Sequence, residues 1–411
     1  MVLPLVYLPT LSEKDMFLDA IKPTTTALSC LGMCTHKGHQ SKAQLLLWHM
    51  VGCLFIALTV TALARSLYFI DLSAGIKGSF TDFGNIAWDV QIIIMAVYFM
   101  FWLRIDLLGT INRRISDATN CVGCKIHHRQ LYIFQIIYIV FTGLNCMAAN
   151  AGVWFDWYGY QYTYLLWYLP ISAIGLTWIS MVWFAGPLLL ASCCYALLFE
   201  FRQFHVRMSE LGPRMTQRDV IEGLMATHGQ LSAVSDMLNK AFAGFALVML
   251  VIDVPNTIMY CYGTLYSILV VSFMDAVLPM VFGVGWMAIH LVICIWMPAL
   301  LAHEAGKGAA IMRENYRSWM MADESTYRLA HAFSERLQNT TVGIDLRGFG
   351  VITKPMIFAV ASLALTYYTL LIQFIEPSKL ERNFNDTQEL IRHATDCQTL
   401  ISQCVNLMKM C

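Results

Sequence analysis

The chain has 411 residues, 58% of them hydrophobic and only 13% charged, and its 27 basic and 27 acidic residues balance to zero. Charge at about half the usual share excludes an ordinary soluble domain, and zero net charge leaves no electrostatic footprint for a nucleic-acid partner. An all-α membrane protein is expected, with seven transmembrane helices read from hydropathy.

In chain order, residues 1–43 mix Lys14, Lys22, Lys37 and Lys42 with acids and turn-formers and read as a cytoplasmic segment. The first dozen residues lack the basic region and cleavage site of a signal peptide, so insertion is expected to rely on the first span. The transmembrane domain is placed at 44–376, with spans at about 45–64, 86–106, 131–151, 164–199, 241–271, 276–301 and 355–375. The second carries Trp88 and Asp89 near its start and closes on Arg104 and Asp106. The fourth has 36 residues without a charge, more than the roughly 20 that cross a bilayer. With Pro170, Gly175 and Pro187 inside it, it reads as one kinked helix protruding on the inner side. No internal repeat or low-complexity tract is apparent.

Orientation follows from Lys and Arg in the short loops. Of the 27 basic residues, twenty fall on the side of the N-terminus and six on the other, with Arg104 at a helix end. The N-terminus is therefore expected inside. That argues against a G-protein-coupled receptor, whose N-terminus is outside. An Asp/Glu-Arg-Tyr end to the third span and an NPxxY in the seventh are also missing.

The thirteen cysteines follow no disulfide framework. Cys121 and Cys124, followed by His127 and His128, offer four zinc ligands on paper; a reduced cytosolic loop is the simpler reading. Cys193, Cys194, Cys261 and Cys294 read as small packing residues in the spans. No nucleophile–base pair, phosphate loop or metal box is visible, so neither an enzyme nor a cofactor is expected.

Residues 153–168 are dense in aromatics, among them Trp154, Trp157, Tyr164 and Trp167. They suit an aromatic belt at the membrane interface and equally the wall of a small-molecule pocket, which Trp88 and Asp89 would join. Asp253 lies two residues before Pro255, where a helical hydrogen bond is missing. It is expected to cap that break, with binding of a polar ligand as the alternative. His290 in the sixth span reads as a satisfied packing histidine. The connections 200–240 and 303–347 are long and mixed in charge, and 323–336 has the apolar spacing of an amphipathic helix.

The last span, 355–375, has no formal charge, yet Ser362, Thr366, Thr369 and Gln373 are spaced 4, 3 and 4 apart on one helical face. On spacing alone two readings stand. Hydroxyls bond back to their own helix while Gln373 ties it to a neighbour, or the stripe is a wet face lining a pore. Beyond it, residues 377–411 form an extracellular tail, where Asn385-Asp386-Thr387 is a glycosylation sequon on the accessible side. Cys397, Cys404 and Cys411 on that tail allow one disulfide.

Thr366-Tyr367, five mostly apolar residues and Gln373-Phe374 resemble the TYhhhhhQF signature in the last span of arthropod gustatory receptors and their invertebrate relatives. The approach from Thr341-Val342-Gly343-Ile344-Asp345 to Gly350 resembles that family's short loop before the last span. The resemblance implies a ligand-gated, non-selective cation channel in the plasma membrane, a homo- or hetero-tetramer whose last helices form the pore. Gln373 and Phe374 would lie at the outer gate, Leu370 would complete the narrowing, and Thr366 and Thr369 would face the conduit. Tyr367 would hold the helix against the fifth or sixth span. The implied ligand is a small tastant, and the long inner helices would pack into a cytosolic anchor. A light- or oxidant-sensing member of the same superfamily and a metabotropic seven-helix receptor are the alternatives.

Overall fold

Backbone polar groups in lipid must bond within their own segment, so a chain this apolar folds into helices. The structure, a computed structural model, describes residues 21–30, 42–68, 75–122, 128–154, 168–214, 216–270 and 284–373. The described residues form twelve α-helices. These are α1 (Lys22–Cys30), α2 (Lys42–Tyr68), α3 (Gly75–Arg104), α4 (Leu107–Val122), α5 (His128–Trp154) and α6 (Tyr168–Glu210). After them come α7 (Arg218–Val270), α8 (Gly285–Ala305), α9 (Gly308–Glu314), α10 (Tyr316–Met320), α11 (Glu324–Asn339) and α12 (Lys354–Ile372).

Five stretches, on α5, α6, α7, α8 with α9, and α12, are long and apolar enough to cross a membrane. A sixth is the bent pair α3 and α4, and a shorter apolar segment, Met50–Thr61, lies in α2. Five or, with the bent pair, six stretches are thus of spanning length, and the shorter segment in α2 falls where the first span is expected.

Two helices run well past their expected spans, as the implied long inner helices require. α7 runs for 53 residues and α6 for 43, about 80 and 65 Å at 1.5 Å per residue. Both outreach a hydrocarbon core of about 30 Å. Much of the stretch 200–240, expected as a connection, is helix continuing out of the apolar part, broken only by the turn at Gly212–Arg214. Hydropathy registers lipid contact and not helix continuation, so it stops where charge begins. The same holds at 107–122, where Leu107, Leu108 and Ile111 are buried and Arg113 and Arg114 exposed. That amphipathic pattern makes α4 a helix turned 59° from α3, with Asp106 at φ 48° in the corner.

The protruding ends of α6, α7 and α8 gather α9, α10 and α11 into a base. α9 packs on α6 and α11, and α11 packs on α7. Asp323 caps α11, its side chain accepting from the Thr326 N–H at 3.2 Å. Ala330, Phe333 and Leu337 then bury its apolar face, in the stretch whose spacing predicts an amphipathic helix. In the bundle proper, Trp102 of α3 meets Phe242 and Phe245 of α7 at 4.7 and 5.3 Å between ring centroids. Gly186 of α6 allows a close crossing, since a Cβ there would meet Phe245 at 2.6 Å and Met95 at 2.7 Å.

α12 hangs from a loop, 340–353, pinned to α7. Gly343 N–H donates to Ser235 Oγ at 3.2 Å and Asp345 N–H to Asn239 Oδ1 at 2.7 Å. The Asp345 carboxylate accepts from the N–H groups of Gly348 and Gly350 at 2.8 and 3.2 Å. Gly343 (φ 145°), Gly348 (94°) and Gly350 (132°) supply the backbone region this tight path needs. Gly343→Ala adds a methyl 2.6 Å from Val351 Cγ1. We expect it to destabilise the purified protein by about 1–3 kcal/mol, read as a lowered midpoint of thermal unfolding. At Gly348→Ala the methyl meets nothing within 4 Å, and the loss should be smaller. An equal loss at both would mean that strain, and not packing, governs the loop.

Candidate functional site

Among the described residues α12 is held on one side. It packs on α7 and α8 through Met356, Ile357, Val360, Ala364, Tyr368 and Leu371. At about 100° per residue, these side chains centre on one line of the helix. Ser362, Thr366, Thr369 and Gln373, all exposed, centre on the opposite line, about 180° away. The polar stripe therefore faces directly away from its own bundle. Thr366 and Thr369 bond back to the carbonyls of Ser362 and Leu365, each at 2.8 Å, which partly satisfies the hydroxyls. Gln373 sits in the turn that ends the helix, at φ −64°. Leu370 flanks the stripe, 47% exposed. Tyr367, expected against the fifth or sixth span, is instead 54% exposed; its neighbour Tyr368 takes the packing position. Phe374 lies outside the described residues.

A second site lies inside the bundle. Pro187 has no N–H, so the carbonyl of Trp183, four residues earlier on α6, loses its helical donor. His290 of α8 approaches that carbonyl with Nε2 at 3.1 Å, and its ring stacks on Trp183 at 3.9 Å with 9° between planes. A carbonyl only accepts, so Nε2 carries the proton. The other ring nitrogen, Nδ1, faces Asp253 Oδ2 of α7 at 2.7 Å. Asp253 Oδ1 accepts from Gln91 Nε2 of α3 at 2.6 Å, and Gln91 Oε1 accepts from Trp183 Nε1 at 3.0 Å. Four helices are joined by one ring of hydrogen bonds, with Gln91, Asp253 and His290 fully buried.

This arrangement corrects the local reading of Asp253. Its side chain does not cap the break at Pro255 but pairs with Gln91 and His290; only its backbone carbonyl accepts locally, from Thr257 Oγ1 at 2.7 Å. His290 is satisfied, as its expected packing role requires, but by a carboxylate 37 positions away. Gln91 escaped the sequence reading altogether. The available signal was an amide inside an apolar span, a group that lipid cannot satisfy.

Beside the ring, Trp88 meets Trp183 edge-on at 6.1 Å, and Asp89 is half-buried next to it. Trp88 Nε1 and both amide atoms of Asn256 are buried without a hydrogen-bond partner among the described residues. Asn256 faces Gly84, where a Cβ would meet its Oδ1 at 3.0 Å. The side chain of Trp154 and all of Trp157, Tyr164, Trp167, Cys124 and Asn385 lie outside the described residues, as does the side chain of Cys121.

Removing one partner of a buried pair strands the other. Asp253→Ala or His290→Ala is expected to cost about 3–5 kcal/mol of stability. The double substitution should cost clearly less than the sum, a coupling measurable by denaturation of the purified variants. Additive losses would show that the two side chains do not support one another.

Comparison with known proteins adds the lineage. The profile described as 7tm chemosensory receptor matches residues 21–376. No curated protein matches the sequence. Among solved structures, the insect olfactory receptor OR5 from Machilis hrabei superposes with a TM-score of 0.65 at 14% identity, covering 88% of this chain and 100% of that chain. The same receptor in complex with eugenol matches equally, with a TM-score of 0.65 at 14% identity. Identity this low speaks for the fold alone. The profile, by contrast, takes in the sequence of every described helix from α1 to α12, and on that ground the chain belongs to the 7tm chemosensory receptor family.

Proposed function

We propose that this chemosensory receptor is of the gustatory type: a ligand-gated, non-selective cation channel in the plasma membrane, with four α12 helices around its pore. One observation carries the reading. The polar stripe of α12 points away from α7 and α8, the described helices it packs against, and lipid cannot hydrogen-bond it. Partner copies, identical or related, would turn those faces toward one another and toward water.

In that assembly Gln373 and Phe374 form the outer gate, Leu370 narrows it, and Thr366 and Thr369 line the conduit for monovalent or divalent cations. Four amides ring the axis without a charge, which favours weak selectivity. The N-terminus is cytoplasmic and the tail 377–411 extracellular, so the base formed by α9, α10 and α11 becomes a cytosolic anchor. The excess of Lys and Arg on that side supports this orientation. The ligand is a small tastant bound in the outer half of the bundle. Trp88, Asp89 and the unpartnered amide of Asn256 would contact it, with Trp154, Trp157, Tyr164 and Trp167 completing an aromatic wall. Asp253, engaged by Gln91 and His290, is withdrawn from that list. The eugenol complex of the structural neighbour supports a small-molecule pocket in this fold.

Whole-cell recording in a cell lacking other receptors, against a ligand panel, tests the proposal. Ligand-evoked currents should persist in excised patches without nucleotides, which a metabotropic receptor cannot deliver. Gln373→Ala should change conductance or resting leak. At Thr369→Cys, a water-soluble cationic thiol reagent should block the open channel, whereas Ala364→Cys on the packing face should stay unmodified. Block at Ala364→Cys without block at Thr369→Cys would reverse the assignment of faces.

A further inference from the structure

Asp253 and His290 approach one another with two electron pairs. The Nε2 proton of His290 is committed to the Trp183 carbonyl, so Nδ1 offers a lone pair to a carboxylate oxygen 2.7 Å away. Two acceptors at that distance require a positive centre between them, either a proton or a metal ion. A third donor atom decides how the place is equipped. Cys294 is one turn beyond His290 on the same face of α8. Its Sγ, a ring nitrogen of His290 and a carboxylate oxygen of Asp253 all lie within 4.8 Å of one another.

We propose that Asp253, His290 and Cys294 form a binding site for a zinc-like divalent ion that joins α7 to α8. Three features carry it beyond the proximity of three residues. The donor set of one nitrogen, one oxygen and one sulfur suits zinc and excludes calcium and magnesium, which take oxygen. The outer contacts are already in place: a backbone carbonyl fixes the His290 tautomer, and Gln91 holds the second carboxylate oxygen at 2.6 Å. The charge also closes. A divalent ion with one carboxylate and one thiolate is neutral overall, the condition for burial among apolar helices. Tetrahedral zinc with bonds of about 2.0–2.2 Å sets nitrogen and oxygen about 3.3–3.5 Å apart, so the 2.7 Å separation opens by roughly 0.6–0.8 Å through side-chain adjustment.

The ligands are buried, so the ion enters during folding and resists brief chelation. The test uses the full chain, purified in detergent from zinc-supplemented cells and dialysed against EDTA, with metal content measured by mass spectrometry. Wild type and Cys193→Ser should each retain a single zinc equivalent per chain. Cys294→Ser should lose it while keeping the same elution profile in size-exclusion chromatography. Protein produced with cobalt should show the thiolate-to-cobalt charge-transfer band, which Cys294→Ser abolishes. Equal zinc in wild type and Cys294→Ser, or cobalt-loaded wild type without the thiolate band, overturns the site and leaves the pair bridged by a proton. Neither readout depends on channel activity.

Discussion

A carboxylate in the middle of an apolar bundle governs how the described helices fit together. Asp253 is fully buried, and an isolated charge in such a place is prohibitive. Its two oxygens are therefore claimed by Gln91 of α3 and His290 of α8. His290 in turn answers a second unmet demand, the Trp183 carbonyl deprived of its donor by Pro187. A proline on α6 and an acid on α7 become complementary defects, and one histidine serves both. Because each contact relieves a penalty elsewhere, the four helices have one relative placement in which Asp253, His290, the Gln91 amide and the Trp183 carbonyl are paired together. That gives the bundle specificity that apolar packing alone would leave loose.

α12 obeys the same constraint and fails it within a single chain. Its packing side chains and its polar ones lie on opposite lines of the helix, so no rotation about its axis can bury both against α7 and α8. The Thr366 and Thr369 hydroxyls recover part of the deficit by bonding to their own backbone. The amide of Gln373 has two donors and an acceptor to place, and back-bonding within a helix end cannot place them all. A helix with that division of faces is stable in a bilayer only next to something polar, and a water-filled axis shared by several copies is the arrangement proposed here.

How much of this was legible depended on how local each signal is. The spacing of Ser362, Thr366, Thr369 and Gln373 marks one face in the sequence, and the structure keeps them on one face. The spacing at 323–336 likewise returns as α11, with Phe333 and Leu337 inward. These readings needed only the helical period. Asp253 misled because a local rule, capping near Pro255, was weighed against no knowledge of what stood opposite. The residues that claim it are 162 and 37 positions away, and no periodicity links them. That the inner helices continue the spans without a break was hidden for another reason. Charged residues along 200–240 are good helix formers, and only their hydropathy separates them from the apolar segments they continue. Tyr367 and Tyr368 differ by one position, about 100° on the helix, and which of them meets the bundle cannot be read without the bundle.

The two halves of the molecule also divide the mechanical work that the proposed channel requires. A ligand shifts an equilibrium only by its differential contacts with two states, so energy gained near Trp88 must reach α12 through structure that moves as a unit. The ring of hydrogen bonds from Gln91 to His290 lies between them and fixes α7 to α8, the same two helices on which α12 rests. At its other end α12 is tethered by loop 340–353 to Ser235 and Asn239, again on α7. The packing face of α12 is bound to α7 and α8 at both levels, while its polar face has no packing partner among the described residues. Displacement of those helices would carry α12 with it, and the weakest resistance lies on the face where none of the described residues packs. In an assembly of copies, that place is the shared axis.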